Sequence, residues 1–368
     1  MGGKHPKPET NLTGRPTGIL ILLIFCLFLS SHRFLCTLLR VQRYADLKGR
    51  EDMETAPMVD ETKTGTEPKV IALRAELARK VAVRALVEGD TQTEIPGLRL
   101  YRKSEPSACS SAAYEPSLVV FVQGQKRINL GKMIYVCDCS NFLLTSVDLP
   151  VVSQVIAATR QEPLLGLLLK LEMPIVREIL SQQEFPLREE AGDARGMAVG
   201  VTSVELLETC ARLVDLLDSP GDIPFLSGLF QREILYRLLR SSQGKHLRAI
   251  ATLGAQSYRT SKAVEWLRAN YAKPLRVEEL AEMTRMGVST LHHQFRSLTS
   301  MSPLQYQKQL RLHVARERML NDGLDAASAA FEVGYESASQ FSREYCRFFG
   351  QPPMRDVKGR RTAIAVNQ

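Results

Sequence analysis

Histidine and tryptophan are scarce in this chain of 368 residues, which has one Trp and six His. The histidines are His5, His32, His246, His292, His293 and His313, so residues 33–245 contain none. A His-ligated metal is thereby excluded from any pocket built in that stretch, and carboxylates alone would hold a transition metal weakly. No glycine-rich phosphate loop precedes a helix. Glu115, Asp138 and Asp148 stand apart from one another, and isolated carboxylates do not make an acid–base pair. The expectation is a protein that is not an enzyme, with no cofactor and no metal site. Cysteine is also sparse: Cys26, Cys36, Cys109, Cys137, Cys139, Cys210 and Cys346 are odd in number and irregular in spacing. Cys137-Asp138-Cys139 has no second close pair or nearby His to complete a zinc site, and reads as alternate residues of one strand. This usage fits a reducing cytoplasm.

Long apolar runs are lacking too. Residues 19–29 are unbroken apolar sequence, but eleven residues fall short of the roughly 20 that span a bilayer. Extending the run to residue 39 places Arg33 inside it. Three readings of residues 1–60 follow. The preferred one is that Met53 is the natural start and residues 1–52 are upstream sequence. A single membrane anchor comes second; Arg40, Arg43, Lys48 and Arg50 after it would keep the bulk of the chain in the cytoplasm. A secretory signal comes last, because the cleavage site is poor.

What is present is ordinary globular composition, 44% hydrophobic and 24% charged, with a formal net charge of +8. The charge is uneven. Residues 261–368 hold 16 basic and 11 acidic side chains, whereas residues 61–260 hold 24 and 23. A basic C-terminal third favours an anionic partner such as nucleic acid.

Residues 70–87 have helical spacing. Seven short apolar runs follow, at 98–102, 118–123, 126–130, 134–137, 142–146, 151–157 and 164–171. Gly124-Gln125 and Gly131-Lys132 fall between runs and predict hairpin turns. Strands of this length with tight turns predict a small barrel or sandwich. Helical stripes return at 176–183, 204–217 and 225–240, where Leu206, Leu213, Leu217, Phe230, Ile234 and Leu238 are expected in the core or on a dimer face.

In the C-terminal third, residues 261–271, 277–284 and 288–298 read as three helices. Leu280, Ala281, Leu291, Phe295 and Leu298 point inward, and Arg285-Met286-Gly287 makes a tight turn, the helix-turn-helix arrangement. The outward face of the third helix carries Ser289, Thr290, His292, His293 and Arg296, with no acidic residue. A solvated helix would mix in Glu or Asp; a helix meant for the major groove would not, because phosphate repels carboxylate. The pattern then recurs. A long amphipathic helix at 303–320 leads to a short one at 325–333. Gly334 supplies the turn, and a second candidate reading helix follows at 337–349. It presents Ala338, Ser339, Ser342, Arg343 and Arg347 outward. Two such helices held by one spacer suit adjacent major grooves about 34 Å apart. Lys308, Arg311 and Arg347 are candidate phosphate contacts.

The run Gly334-Tyr335-Glu336-Ser337-Ala338-Ser339-Gln340-Phe341-Ser342-Arg343, followed by Phe348-Phe349-Gly350-Gln351-Pro352-Pro353, closely resembles the signature of the AraC/XylS family of bacterial transcription regulators. Upstream, Tyr114-Glu115-Pro116-Ser117-Leu118, Gln123-Gly124-Gln125-Lys126-Arg127 and Ser146-Val147-Asp148-Leu149-Pro150 resemble the cupin-type N-terminal domain of one AraC subgroup. The resemblance spans about residues 70–356.

It implies an α+β chain: an extension at 1–60, a cupin-like β-barrel sensor with flanking helices at 68–258, and an all-α double helix-turn-helix reader at 261–361. The implied function is a cytoplasmic regulator, activator or repressor, that binds double-stranded DNA under control of a small-molecule effector. RNA polymerase and a second copy are possible partners, and a membrane only if residues 19–39 are an anchor. By the resemblance, Ser289, His292, His293 and Arg296, with Ala338, Ser339, Ser342 and Arg343, touch bases. Three departures stand out: Gly287 where Ser commonly caps, Arg285 in the first turn, and Met354-Arg355-Asp356 where the family ends on an aromatic-Arg pair.

Overall fold

The unbroken apolar runs in the N-terminal half are explained by two cores, one on each face of the strands. In a strand, neighbouring side chains point to opposite faces. Val120 and Val122 enter one apolar cluster and Phe121 the other; Phe142 and Leu144 enter the first and Leu143 the second. This strand-rich half is part of a computed structural model that describes residues 68–182, 185 and 194–366, within a unit spanning Glu54–Gln368. The apolar run at 19–39 and the reading of residues 1–60 lie outside the described residues. Among the described residues, no helix is long and apolar enough to cross a membrane.

The chain enters with α1 (Pro68–Arg84) and then forms β1 (Gly89–Gln92), β2 (Leu98–Lys103), β3 (Ser110–Tyr114), β4 (Ser117–Gln123) and β5 (Gln125–Leu130). Next come β6 (Met133–Cys137), β7 (Asn141–Thr145), β8 (Leu149–Ala157) and β9 (Leu164–Lys170). Helix α2 (Met173–Gln182) precedes β10 (Met197–Val201), and α3 (Val204–Asp215), α4 (Ile223–Arg240) and α5 (Gly244–Ala251) complete this half. One antiparallel sheet has the order β1-β2-β9-β4-β7-β10, the other β3-β8-β5-β6. The outer face of the larger sheet (Leu98, Leu100, Leu118, Leu167) packs against α1 through Leu77 and Val81, and Leu206 and Leu213 of α3 and Ile234 and Leu238 of α4 join the same apolar cluster. The expected core residues of these helices are therefore core. Leu217 and Phe230 are only partly buried against it.

All seven strands read from the sequence are present. β1, β3 and β10 are additional: β1 is polar, and β3 is a run of small residues without clean alternation, so neither carries a local signal. The two expected hairpins differ in outcome. Leu130 pairs with Met133 across Gly131-Lys132, a two-residue hairpin with Gly131 at φ +58°. Gly124, in contrast, joins β4 of one sheet to β5 of the other and forms a corner, not a hairpin. It sits at φ +80°, and a Cβ there would lie 2.7 Å from Leu164 Cα. Its glycine serves a close approach between chain segments, which local pattern does not distinguish from a hairpin turn.

The C-terminal half is helical: α6 (Gln256–Ala269), α7 (Val277–Met283), α8 (Val288–Thr299), α9 (Pro303–Asn321), α10 (Ala326–Glu332), α11 (Ala338–Phe349) and α12 (Pro353–Val366). The division expected between residues 258 and 261 falls inside α6. The inter-sheet core, with Ile128, Tyr135, Leu149 and Met197, runs on without a break into Ala263, Val264, Leu267, Leu291, Phe295 and Tyr306. A separate cluster (Leu312, Ala315, Met319, Ala329, Ala330, Phe341, Tyr345) belongs to the last helices.

Candidate nucleic-acid interface

Two copies of one local structure present the candidate reading helices. In the first, the Met286 N–H donates to Ala281 O at 2.9 Å, closing the end of α7. In the second, the Tyr335 N–H donates to Ala330 O at 2.9 Å, closing the end of α10. Arg285 and Gly334 occupy equivalent turn positions, with φ of 54° and 89°. Both are left-handed, as the tight turn requires, but only the second copy has the glycine that adopts this conformation without strain. Small buried residues, Ala281 and Ala330, let the paired helices cross closely.

The reading helices start differently. Gly287 precedes α8 without a side-chain cap, whereas Ser337 Oγ accepts from the Gln340 N–H at 3.3 Å at the start of α11. Each helix is anchored by an aromatic residue in its own core. Phe295 is fully buried in edge-to-face contact with Tyr306 (centroids 5.6 Å apart), and Phe341 lies against Tyr335 (5.3 Å) and Tyr345 (5.4 Å).

Opposite these anchors, Ser289, Thr290, His292, His293 and Arg296 of α8 are exposed, as are Ser339, Arg343 and Arg347 of α11; Ala338 and Ser342 are half-buried. Arg296, Arg343 and Arg347 have no hydrogen-bond or ion-pair partner among the described residues. α8 carries no acidic residue, and α11 carries one, Glu344. Glu344 is held back from the surface by Tyr335 Oη (2.9 Å) and Lys308 Nζ (2.6 Å). Burial would raise its pKa, but the hydrogen bonds from Lys308, Tyr335 and Gln340 outweigh it and keep the carboxyl below the usual range. The protein has paired off the one negative charge on the candidate face.

The three cations expected at phosphates have different surroundings. Arg347 is open. Lys308 is paired with Glu344. Arg311 does not fit the expected role. Its Nε donates to Tyr271 O (2.7 Å), Nη1 to Gly334 O (2.8 Å), and Nη2 to Lys273 O (2.9 Å) and Ala272 O (3.2 Å). A guanidinium on four backbone carbonyls has one N–H left to offer a phosphate. One residue of the exposed face was missed from the sequence: Gln340, at the position of α11 that Thr290 holds on α8. The matching helix starts, Val288 and Ala338, give that correspondence.

The first unit is fastened to the strand half. Tyr306 Oη donates to Asp148 O at 2.9 Å, and Arg268 pairs with Glu115 Oε1 (2.8 Å) and with Asp148. Burial pushes the Asp148 carboxyl up, and Arg268 counters it only in part. A crevice of about 50 Å³ lies beside this contact, lined by Pro116, Val147, Asp148, Met173, Tyr258 and Val264 among others. Among the described residues, no group of His, Cys, Asp and Glu could hold a metal ion.

Residues 94–246 match the family model of the AraC-type transcriptional regulator N-terminus, and residues 280–358 match a helix-turn-helix domain model. The two matches together take in more than half of the chain, in the order and at the places where the strand half and the two helical units lie. The chain belongs to the AraC/XylS family. Among the family's curated members it is 28% identical over 160 residues to the HTH-type transcriptional activator RhaS of Salmonella schwarzengrund (strain CVM19633), which is 43% of this chain and 56% of that protein. The chain thus spans about half the length of the curated relatives it matches. Among solved structures, unsaturated fatty acid bound wild-type ToxT from Vibrio cholerae strain SCE256 aligns with a TM-score of 0.47 at 12% identity, over 71% of this chain and 94% of that one. A probable AraC family transcriptional regulator from Rhodopseudomonas palustris aligns with a TM-score of 0.26 at 23% identity, over 28% and 96%.

Proposed function

We propose that the protein is a sequence-specific DNA-binding transcription regulator, with α8 and α11 reading two adjacent major grooves. The observation that carries this is the acid-free outward face of α8, repeated on α11 where the single carboxylate, Glu344, is neutralised by Lys308. Ser289, Thr290, His292, His293 and Arg296 then contact the first groove, and Ala338, Ser339, Ser342 and Arg343 the second, with Gln340 added. Arg343 is assigned a bidentate contact to guanine, and Arg347 a phosphate. Lys308 reaches a phosphate only by leaving Glu344. The strand half is the sensor of a small-molecule effector. Such a ligand acts by binding unequally to arrangements of the chain that differ in DNA affinity. Work on chromosomal DNA places the protein in the cytoplasm. RNA polymerase and a second copy of the chain are candidate macromolecular partners.

Footprinting on the DNA upstream of the neighbouring genes tests the reading. The expected result is a protected stretch of roughly two helical turns per protomer. Arg343→Ala relaxes the preference at one base pair, worth about 1–3 kcal/mol of discrimination. An unaltered footprint for that variant would remove Arg343 from the interface, and no protection by the wild-type protein at any site would remove the function.

A further inference from the structure

We propose that Arg311 sets the spacing between the two reading helices and is thereby a specificity-determining positioning residue that touches no DNA. The inference deepens the DNA-binding reading and rests on it.

Apolar packing alone leaves the relation between the two units weakly specified. The core behind α8 and the core behind α11 are separate clusters, and among the described residues they share only the partly buried Tyr271 and Val314. The long helix α9 enters both cores, with Tyr306 and Leu310 in the first and Leu312, Ala315 and Met319 in the second, and fixes how far apart the units are. Among the described residues, direct apolar contact between the units is confined to Tyr271 and Val314, so their rotation about α9 also depends on polar contacts. Arg311 lies at the middle of α9 and reaches both units at once. Its Nε and Nη2 bind the carbonyls of Tyr271, Ala272 and Lys273, in the turn that leads into α7, while its Nη1 binds Gly334 O, in the turn between α10 and α11. The seam is tight: a Cβ on Gly334 would lie 2.1 Å from Ala272 O. One turn earlier on α9, Gln307 Nε2 donates to Tyr271 O (3.1 Å) and Lys273 O (2.7 Å), which holds the same turn from the first unit only.

A planar guanidinium presents its donors in a fixed fork, so carbonyls from two units bonded to it are fixed in both distance and rotation. An ammonium keeps the charge and loses that geometry. This is how a spacing role differs from a phosphate contact, where charge is what counts.

Binding of the full chain is measured on a two-part site selected by the wild-type protein from random DNA, on derivatives with one base pair added or removed between the parts, and on each part alone. Wild type, Arg311→Lys, Arg311→Leu and the milder Gln307→Ala are compared. One base pair shifts the second part by about 3.4 Å and turns it by about 35°. Wild type therefore loses the second helix's base contacts and drops at least ~10-fold on either derivative. In both Arg311 variants the spacing profile flattens to within ~3-fold, while binding to each single part and the salt dependence are unchanged, which also shows that the variants are folded. Gln307→Ala keeps the wild-type profile. Restoration by Arg311→Lys, or a wild-type profile in Arg311→Leu, overturns the assignment while leaving DNA binding intact. A wild-type protein that selects no two-part site overturns the DNA reading and this inference with it.

Discussion

The backbone N–H of Gly196 donates to the carbonyl of Leu298 at 2.8 Å, so the last turn of the first reading helix is hydrogen-bonded to the residue that precedes β10. A Cβ on Gly196 would lie 2.7 Å from that carbonyl oxygen and 2.7 Å from Val147 Cγ2. Gly196→Ala is expected to separate α8 from the strand half at a cost of about 1–3 kcal/mol, the usual range for overpacking. Urea unfolding followed by near-UV and far-UV signals checks it: the variant's midpoint falls. An unchanged midpoint would mean that the contact yields freely.

Arg285 is the residue for which the turn has the wrong side chain. At φ 54° it is in the left-handed region, where a Cβ costs about 1–2 kcal/mol. Arg285→Gly relieves that strain but adds flexibility to the unfolded chain, about 0.5–1 kcal/mol in the other direction. The expected net gain is up to ~1 kcal/mol by urea denaturation. Gly334→Ala, at the equivalent turn, is expected to destabilise, because its Cβ meets Ala272 O.

Gln340 is exposed on α11 and its side-chain amide is tied only loosely, to Glu344 Oε1 at 3.4 Å. An amide in the major groove pairs with adenine through two hydrogen bonds. Site selection with Gln340→Ala is expected to lose preference at a single A·T pair, about 1–3 kcal/mol of discrimination, with the rest of the site unchanged. An identical selected sequence would take Gln340 out of the reading face.

His313 gives a pH signature. It is buried between the Phe348 and Phe349 rings, and its Nε2 has no partner among the described residues. Burial first, and the neighbouring Arg316 second, push its pKa down from 6.5 to about 3. The unfolded chain therefore binds a proton that the folded one refuses. The stability contribution is full above pH 6.5, shrinks as pH falls below it, and is gone near pH 3, at up to ~1.4 kcal/mol per pH unit. Urea midpoints measured between pH 7 and pH 4 are expected to fall more steeply in wild type than in His313→Leu. Equal slopes would show that another group dominates.

Much of the molecule was legible in one dimension. Short unbroken apolar runs bounded by turn residues marked seven strands, because a strand buried on both faces is apolar at successive positions. Periodicity of 3.6 marked the helices, and the absence of acid from 288–299 marked a candidate reading face. Those signals are carried by side-chain type, and they determined the fold class and the candidate reading faces. What the sequence could not decide was which backbone carbonyl a side chain would meet. Every residue carries one, so no composition distinguishes the partners of Arg311, 23 to 40 positions away in the chain, from any others. The same holds for Gly124 as a corner against Leu164, for Gly196 against Leu298, and for the helix α6 that runs through the expected domain boundary. Tertiary structure alone set these, because they depend on how close two distant stretches of backbone come once the cores have closed.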